Sequence, residues 1–110
     1  MIYLVCGGRK YTDRRFLHWA LSTLNNVELI IHGGADGADK LADDWARVQG
    51  IHCAEVKALW GYYDNKAGPI RNQIMAKLKP DMCIAFPGGT GTADMIARCE
   101  SAGIPVQRFY

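Results

Sequence analysis

The chain has 110 residues and a mass of 12.2 kDa, with 49% hydrophobic and 22% charged residues, which fits one compact domain over 1–110. A net charge of +2 is too small an excess to indicate nucleic-acid binding by itself. No apolar run approaches the roughly 18 residues of a bilayer span, and no leader-like segment follows Met1. We therefore expect a soluble, cytoplasmic protein that has no membrane partner.

The first half of the chain alternates between strand and helix patterns. An apolar run over 2–6 is followed by apolar residues at helical spacing over 16–24. The pair repeats as a strand over 27–31 and a helix from 38 to the glycine at 50, and a weaker strand follows over 51–56. This half therefore predicts β-α-β-α-β.

The second half opens with the segment 59–68, whose aromatic, Gly and Asn residues predict an irregular functional loop or lid. Pro69 suits the first turn of a helix that continues to Leu78. A continuous apolar strand over 81–86, a helix ending at Gly103 and a strand over 105–109 complete the pattern.

Alternating strands and helices of this length predict an α/β fold, because right-handed crossovers give a mostly parallel sheet covered on both faces. We expect a Rossmann-like three-layer α/β/α architecture whose five-stranded sheet has the order 3-2-1-4-5. Ligands of such sheets bind outside the carboxyl ends of the strands, where the strand order reverses. The expected switch point lies between the first and fourth strands.

Three glycine-rich loops follow the first, second and fourth predicted strands, at that edge. Glycine lets the backbone approach a phosphate, and a following helix offers free N–H groups, so these loops are candidate ligand-binding segments. Their residues are Gly7, Gly8, Gly33, Gly34, Ala35, Asp36, Gly37, Pro87, Gly88, Gly89, Thr90, Gly91 and Thr92. Strand-to-helix turns also use glycine for their geometry alone. Neither G-x-G-x-x-G nor G-x-x-x-x-G-K-[ST] is complete, which disfavours a standard NAD(P) dehydrogenase or P-loop ATPase.

Polar residues beside these loops suit an anionic ligand. Thr90 and Thr92 can cap the last long helix or donate hydroxyls to phosphate, and Asp94 is expected in the first turn of that helix. Arg9 and Arg71 each lie near a special glycine, and guanidinium binds phosphate through two hydrogen bonds. We expect both arginines to bind the ligand.

Other candidates have both a functional and a structural interpretation. Tyr11 or Trp60 could stack on a base, although aromatic residues more often cover a core. Asp36, Asp39 and Asp64 are acids close to the loops and could hold ribose hydroxyls.

Further charged residues are expected to face solvent, among them Arg14, Arg15, Asp43 and Asp44, and only His32 of the three histidines lies near a glycine loop. The four cysteines are widely spaced, with no C-x-x-C pair and no histidine cluster, so neither a metal site nor a disulfide framework is predicted. No Ser-His-Asp set or carboxylate pair can be assigned from spacing.

Four segments together resemble one family. The segments 5–9, 31–42, 67–72 and 85–95, which read VCGGR, IHGGADGADKLA, AGPIRN and AFPGGTGTADM, are similar to the YspA-type, YpsA-related branch of the SLOG superfamily. The resemblance implies a Rossmann-like domain, often a homodimer, that binds a nucleotide or a nucleotide-derived ligand across its glycine loops. It adds Asn72 to the candidate binding residues.

The same superfamily includes the Lonely Guy phosphoribohydrolases, which use an arginine and the glutamate of P-G-G-x-G-T-x-x-E to cleave an N-glycosidic bond. Arg71 matches that arginine, but Met95 occupies the position of the glutamate. Asp94 lies one residue earlier, about 100° around a helix. Arg71 and Asp94 are therefore the catalytic candidates if the chain is an enzyme, with Asp36 or Asp39 as alternatives to Asp94 in the place of the glutamate.

The leading hypothesis is a binding or sensing domain for an ADP-ribose, NAD-derivative or nucleoside-monophosphate ligand, with no cofactor required. Phosphate would lie on 88–92 near Arg9 and Arg71, and 33–37 would form the opposite wall. The alternatives are a phosphoribohydrolase-like N-glycosidase and a DNA-binding module resembling DprA, another superfamily member.

Overall fold

The computed structural model describes residues 1–110 and contains one five-stranded sheet with the order β3-β2-β1-β4-β5. All four pairs of neighbouring strands are parallel, which confirms the predicted architecture. The strands are β1 (Ile2–Cys6), β2 (Leu29–His32), β3 (His52–Glu55), β4 (Met82–Ala85) and β5 (Val106–Arg108). The order reverses between β1 and β4, where Cys6 lies opposite Ala85.

Five α-helices accompany the sheet: α1 (Arg14–Ser22), α2 (Ala38–Gln49), α3 (Trp60–Tyr63), α4 (Ala67–Lys77) and α5 (Thr90–Ser101). Successive strand residues point to opposite faces, so β1 sends Tyr3 and Val5 into the core beneath α1 and α2. Leu4 and Cys6 enter the second core beneath α4 and α5. None of the helices has the length and apolar character needed to cross a bilayer.

Local sequence features mark where several helices begin and end. Asp13 caps α1 by accepting the Phe16 N–H at 3.1 Å, and α2 stops at Gly50, whose φ of +71° gives the left-handed conformation of a helix C-terminus. Pro69 is the third residue of α4, where its missing N–H has no intrahelical acceptor to lose.

The expectation of an irregular segment over 59–68 is wrong. Two N–H groups, those of Tyr62 and Tyr63, donate to the Leu59 carbonyl at 2.9 Å, which forms the short helix α3. A 3-10 turn over Asp64–Lys66 then leads into α4. Tertiary contact outweighs local composition here, because the Trp60 ring packs on Gly68, 3.2 Å from the position that a Cβ would occupy.

Candidate functional site

A cavity of about 620 Å³, called the main cavity below, opens at the carboxyl edge of the sheet between the loops after β1 and β4. This is the predicted switch point. Its lining brings together twelve of the candidate residues: Gly7, Gly8, Arg9, Ala35, Asp39, Arg71, Asn72, Gly89, Thr90, Gly91, Thr92 and Asp94. The loops after β1 and β4 and helix α4 thus supply most of the wall.

A second opening of about 450 Å³, called the side cavity below, lies next to the main cavity at the ends of β2 and β3. It contains further candidates, namely Gly33, Gly34 and Asp36. The two cavities share Arg9, Ala35, Trp60 and Arg71 in their walls. Two guanidinium groups and an indole therefore form the boundary between the cavities.

Other candidates lie outside both cavities. The Tyr11 ring packs 5.5 Å from the ring of Phe86, so this tyrosine covers the core beneath α1 and α2. Gly37 packs against the backbone of the loop after β1. Pro87, Gly88 and Asp64 also line neither cavity.

The two shared arginines have no carboxylate partner. Arg71 donates from Nη1 to the Gly33 carbonyl at 2.9 Å and from Nε to Asn72 Oδ1 at 3.1 Å. None of the ion pairs in the structure includes Arg9 or Arg71. Burial lowers the pKa of Arg71, the negative charge of Asp39 partly opposes this effect, and the positive charge of Arg9 lowers the pKa further. The boundary between the cavities therefore concentrates positive charge that no direct ion pair neutralises.

The N-terminus of α5 forms a second anion-attracting element. Gly89 is the N-cap and provides no side-chain cap. The N–H groups of Thr90, Gly91 and Thr92 find no acceptor within the protein, so they are available to a ligand. Because the helix begins at Thr90, the expected capping by threonine side chains does not occur. Asp94 is the fifth helical residue and not in the first turn as expected.

The glycines of the loops fall into two groups, those that packing requires and those that it does not. Gly7 and Gly37 are required by packing, since a Cβ would lie 2.5 Å from the Ala38 Cβ and 2.1 Å from the Gly8 carbonyl oxygen, respectively. Gly89 and Gly91 have no neighbour within 4 Å of such a Cβ and no positive φ. Nothing in the fold itself demands glycine at those two positions, which border open cavity space.

Backbone amides of the loop after β2 are used within the protein. The Gly33 and Ala35 N–H groups donate to Asp39 Oδ2 at 3.0 and 3.4 Å, and the Gly34 N–H donates to His32 Nδ1 at 3.0 Å. Burial raises the pKa of Asp39, and the two amides partly oppose that rise. This loop therefore shapes a wall of the cavity, and its first three amides are not free for phosphate.

The buried ring of His32 is held from both sides. Its Nδ1 accepts the Gly34 N–H, so Nε2 carries the proton and donates to Asp43 Oδ2 at 2.7 Å. The expectation that Asp43 faces solvent is wrong, because its side chain is 14% exposed and also accepts from Arg47. Cys53 lies beside them, but a protonated Nε2 and an adjacent arginine make this cluster unsuited to a metal ion.

Acid sensitivity is expected from the Asp43 interactions. Burial raises the pKa of Asp43, but hydrogen bonds from Arg47 and His32 outweigh it and hold the pKa below its usual value. The stability gained is present above the unfolded pKa of about 3.9 and is lost as pH falls through the lower folded pKa. Urea unfolding between pH 6 and pH 2.5 should show a smaller loss of stability in Asp43→Asn than in the unmodified chain. Equal losses would contradict this assignment.

Asp94 is fixed by a network in the wall of the main cavity. Its Oδ2 accepts from Asn72 Nδ2 and from Arg98 Nε, each at 2.9 Å, and Asn72 Nδ2 also lies 3.3 Å from the Gly91 carbonyl. Burial raises the pKa of Asp94, but these hydrogen bonds lower it by more. The carboxylate is ionised at neutral pH. Met95, at the position of the family's glutamate, is buried and brings no acid to the cavity wall.

Some lining residues were absent from the sequence-based set. The main cavity adds Val5, Cys6, Asn65, Gly68, Pro69, Met75 and Met95, and the side cavity adds Glu55, Lys57 and Ala58. Trp60, a candidate for base stacking, lines both cavities. Glu55 ends β3 at the carboxyl edge, so its place in the strand pattern could have identified it.

The fold and the loops define a class of protein, a Rossmann-like α/β domain with glycine-rich segments gathered around a cleft at the switch point. A family model described as YspA, cpYpsA-related SLOG family matches residues 1–63. The chain belongs to this family.

Two relatives extend the comparison. The chain is 36% identical to the Gene 61 protein of Mycobacterium phage D29 over 117 aligned positions, which cover 96% of this chain and 94% of that protein. It is 30% identical over 73 positions to NAD kinase 1 of Streptomyces avermitilis, covering 64% of this chain and only 19% of that protein. The first likeness spans the whole fold, and the second spans a small part of a larger enzyme.

Proposed function

We propose that the chain is a binding or sensing domain for a nucleotide or nucleotide-derived ligand of the ADP-ribose, NAD-derivative or nucleoside-monophosphate type. Phosphate lies at the N-terminus of α5 and against Arg9 and Arg71, and no further cofactor is required. The observation that carries the proposal is the pair of arginines without carboxylate partners beside three free helix N–H groups.

Other observations support a nucleotide over a free anion. The main cavity is large enough for more than a phosphate, since ligand cavities begin at roughly 300 Å³. Trp60 borders both cavities, and the Arg9 guanidinium lies over its ring, 5.5 Å from the ring centre, so the indole helps to place this arginine at the boundary. Membership of the SLOG family and the partial likeness to a protein named NAD kinase 1 agree with a nucleotide ligand.

The Gly91→Ala variant separates ligand binding from folding. Gly91 is a helical residue of α5 with open space around it, and alanine is the better helix former by about 1 kcal/mol. A helical Cβ tilts toward the N-terminus, where the phosphate would lie. We expect at least about tenfold weaker binding of ADP, equal to about 1.4 kcal/mol, with an unchanged or higher unfolding midpoint.

Calorimetric titration with ADP and thermal unfolding are the two measurements. Gly61→Ala is the matched control, because Gly61 also has no neighbour within 4 Å and lines neither cavity. It should leave the ADP affinity unchanged, with an unchanged or higher unfolding midpoint, because Gly61 is also a helical residue. Undiminished ADP affinity in a folded Gly91→Ala protein would exclude the α5 N-terminus as the phosphate site, and absence of nucleotide binding to the unmodified chain would reject the proposed function.

A second candidate function is cleavage of the N-glycosidic bond of a nucleotide. One observation favours it: the ionised Asp94 carboxylate lines the main cavity and has an oxygen, Oδ1, without a protein partner. Such a carboxylate can stabilise positive charge that develops on a ribose. If this function is correct, the unmodified chain releases adenine from AMP, and Asp94→Asn binds AMP with little release. Chromatography of the products detects adenine, and no release by the unmodified chain rejects this function.

Self-association as a homodimer is the remaining part of the proposal. Trp19 lies on α1 and is 57% exposed, which supplies apolar surface of the kind that interfaces cover. Helices α1 and α2 cover one face of the sheet, and α4 and α5 cover the other. A dimer interface at Trp19 would therefore lie on the opposite face of the sheet from α5.

A further inference from the structure

We propose that the ligand occupies both cavities and carries its anionic group between two substituents rather than at one end. This inference rests on the proposed function, because it specifies the ligand of the same site. A nucleotide with a diphosphate bridge to a second sugar fits this description. A terminal phosphate, as in a nucleoside monophosphate or diphosphate, would leave the side cavity unfilled.

The first argument is where the positive charge lies. Arg9 and Arg71 line both cavities, and no acidic residue is shared between the two walls. Asn72 links Arg71 to the other anion-binding element, because Arg71 Nε donates to its Oδ1 while its Nδ2 donates to the Gly91 carbonyl at 3.3 Å. The start of α5 and the Arg71 guanidinium are thus separated by one side-chain amide, which suits two linked phosphates.

The second argument is the chemistry of the side-cavity wall. That wall has the carboxylates of Asp36 and Glu55 and the ammonium group of Lys57. A hydroxyl both donates and accepts hydrogen bonds, so this combination suits the hydroxyls of a sugar.

Glu55 is the most specific residue of that wall. It ends the edge strand β3, and its carboxylate lies over Gly34, within 2.8 Å of the position of a Cβ there. Gly34 therefore leaves room for this carboxylate beside the loop. The only ion pair of Glu55 is a long one of 3.9 Å to Lys57, whose side chain is 80% exposed. Glu55 can exchange this loose contact for hydroxyl groups of a ligand.

The test compares ADP with ADP-ribose, which differ by the second sugar. We expect ADP-ribose to bind the unmodified chain at least about tenfold more tightly than ADP, since hydrogen bonds to charged groups are stronger than neutral ones. In Glu55→Ala this advantage should fall to less than about threefold, while the affinity for ADP stays the same. Glu100→Ala is the matched control, because Glu100 is an exposed acid outside both cavities and its loss changes the net charge equally.

The outcomes separate this inference from the proposed function. If neither compound binds, the proposed function fails and this inference fails with it. If ADP binds as tightly as ADP-ribose, or if Glu55→Ala weakens both ligands equally, the site is a nucleotide site that does not use the side cavity. If Glu100→Ala reproduces the Glu55→Ala result, net charge explains the preference and the inference is overturned.

Discussion

Replacing Arg71 with alanine is expected to weaken ADP binding about a hundredfold, the largest loss expected from any single substitution in the cavity wall. The side chain is half-buried and already oriented by the Gly33 carbonyl and by Asn72, so little conformational entropy is lost when it meets a phosphate. Its remaining N–H groups have no acceptor in the protein. Each hydrogen bond between such a charged donor and a phosphate contributes about 1.5–3 kcal/mol.

Titration calorimetry of Arg71→Ala, Arg71→Lys and Arg14→Ala with ADP tests this expectation. Arg71→Lys keeps the charge but loses the planar pair of donors, so it should bind with intermediate affinity. Arg14 is exposed, pairs with Asp44 at 3.1 Å and lies outside both cavities, so Arg14→Ala controls for the change in net charge. Unchanged ADP affinity in a folded Arg71→Ala protein would remove this arginine from the binding site.

The strand order could be predicted because apolar runs, crossover helices and glycine loops repeat along the chain in a fixed alternation. Parallel strands joined by helices leave few arrangements, and β1 and β4 adjoin as expected. The segment 59–68 could not be predicted in the same way. Its α-helical and 3-10 turns depend on Trp60 packing on Gly68, and composition alone does not reveal this contact.

The general position of the site could be predicted for the same reason, because glycine loops after parallel strands meet at one edge. The roles of individual residues within those loops depend on longer-range contacts. Asp39 is beside a glycine loop as expected, yet its carboxylate accepts two amides of that loop. His32 and Asp43 lie on different elements, and only the packing of α2 on β2 brings their side chains together.

Gly37 shows how a glycine chosen as a ligand-binding candidate can have a structural reason. Its φ is +79°, and a Cβ would lie 2.1 Å from the Gly8 carbonyl oxygen and 2.6 Å from the carbonyl of Arg9. All these neighbours are backbone atoms, so no side chain can rotate to relieve the overlap. The Ala38 N–H also donates to the same Gly8 oxygen at 3.2 Å, which keeps the start of α2 against the loop after β1.

Gly37→Ala is therefore expected to lower the free energy of unfolding by about 3 kcal/mol, because the Cβ overlaps backbone atoms and because a φ of +79° with a ψ of −128° is a conformation that side chains disfavour. Gly50→Ala measures the cost of a positive φ without the overlap, because Gly50 has a φ of +71° and no neighbour within 4 Å. Urea unfolding of both variants measures the difference. If Gly37→Ala costs no more than Gly50→Ala, the loop after β1 can move away from α2 freely. The distance between the loop after β1 and the loop after β2 would then not be fixed, and Arg9 would have no defined position beside Arg71.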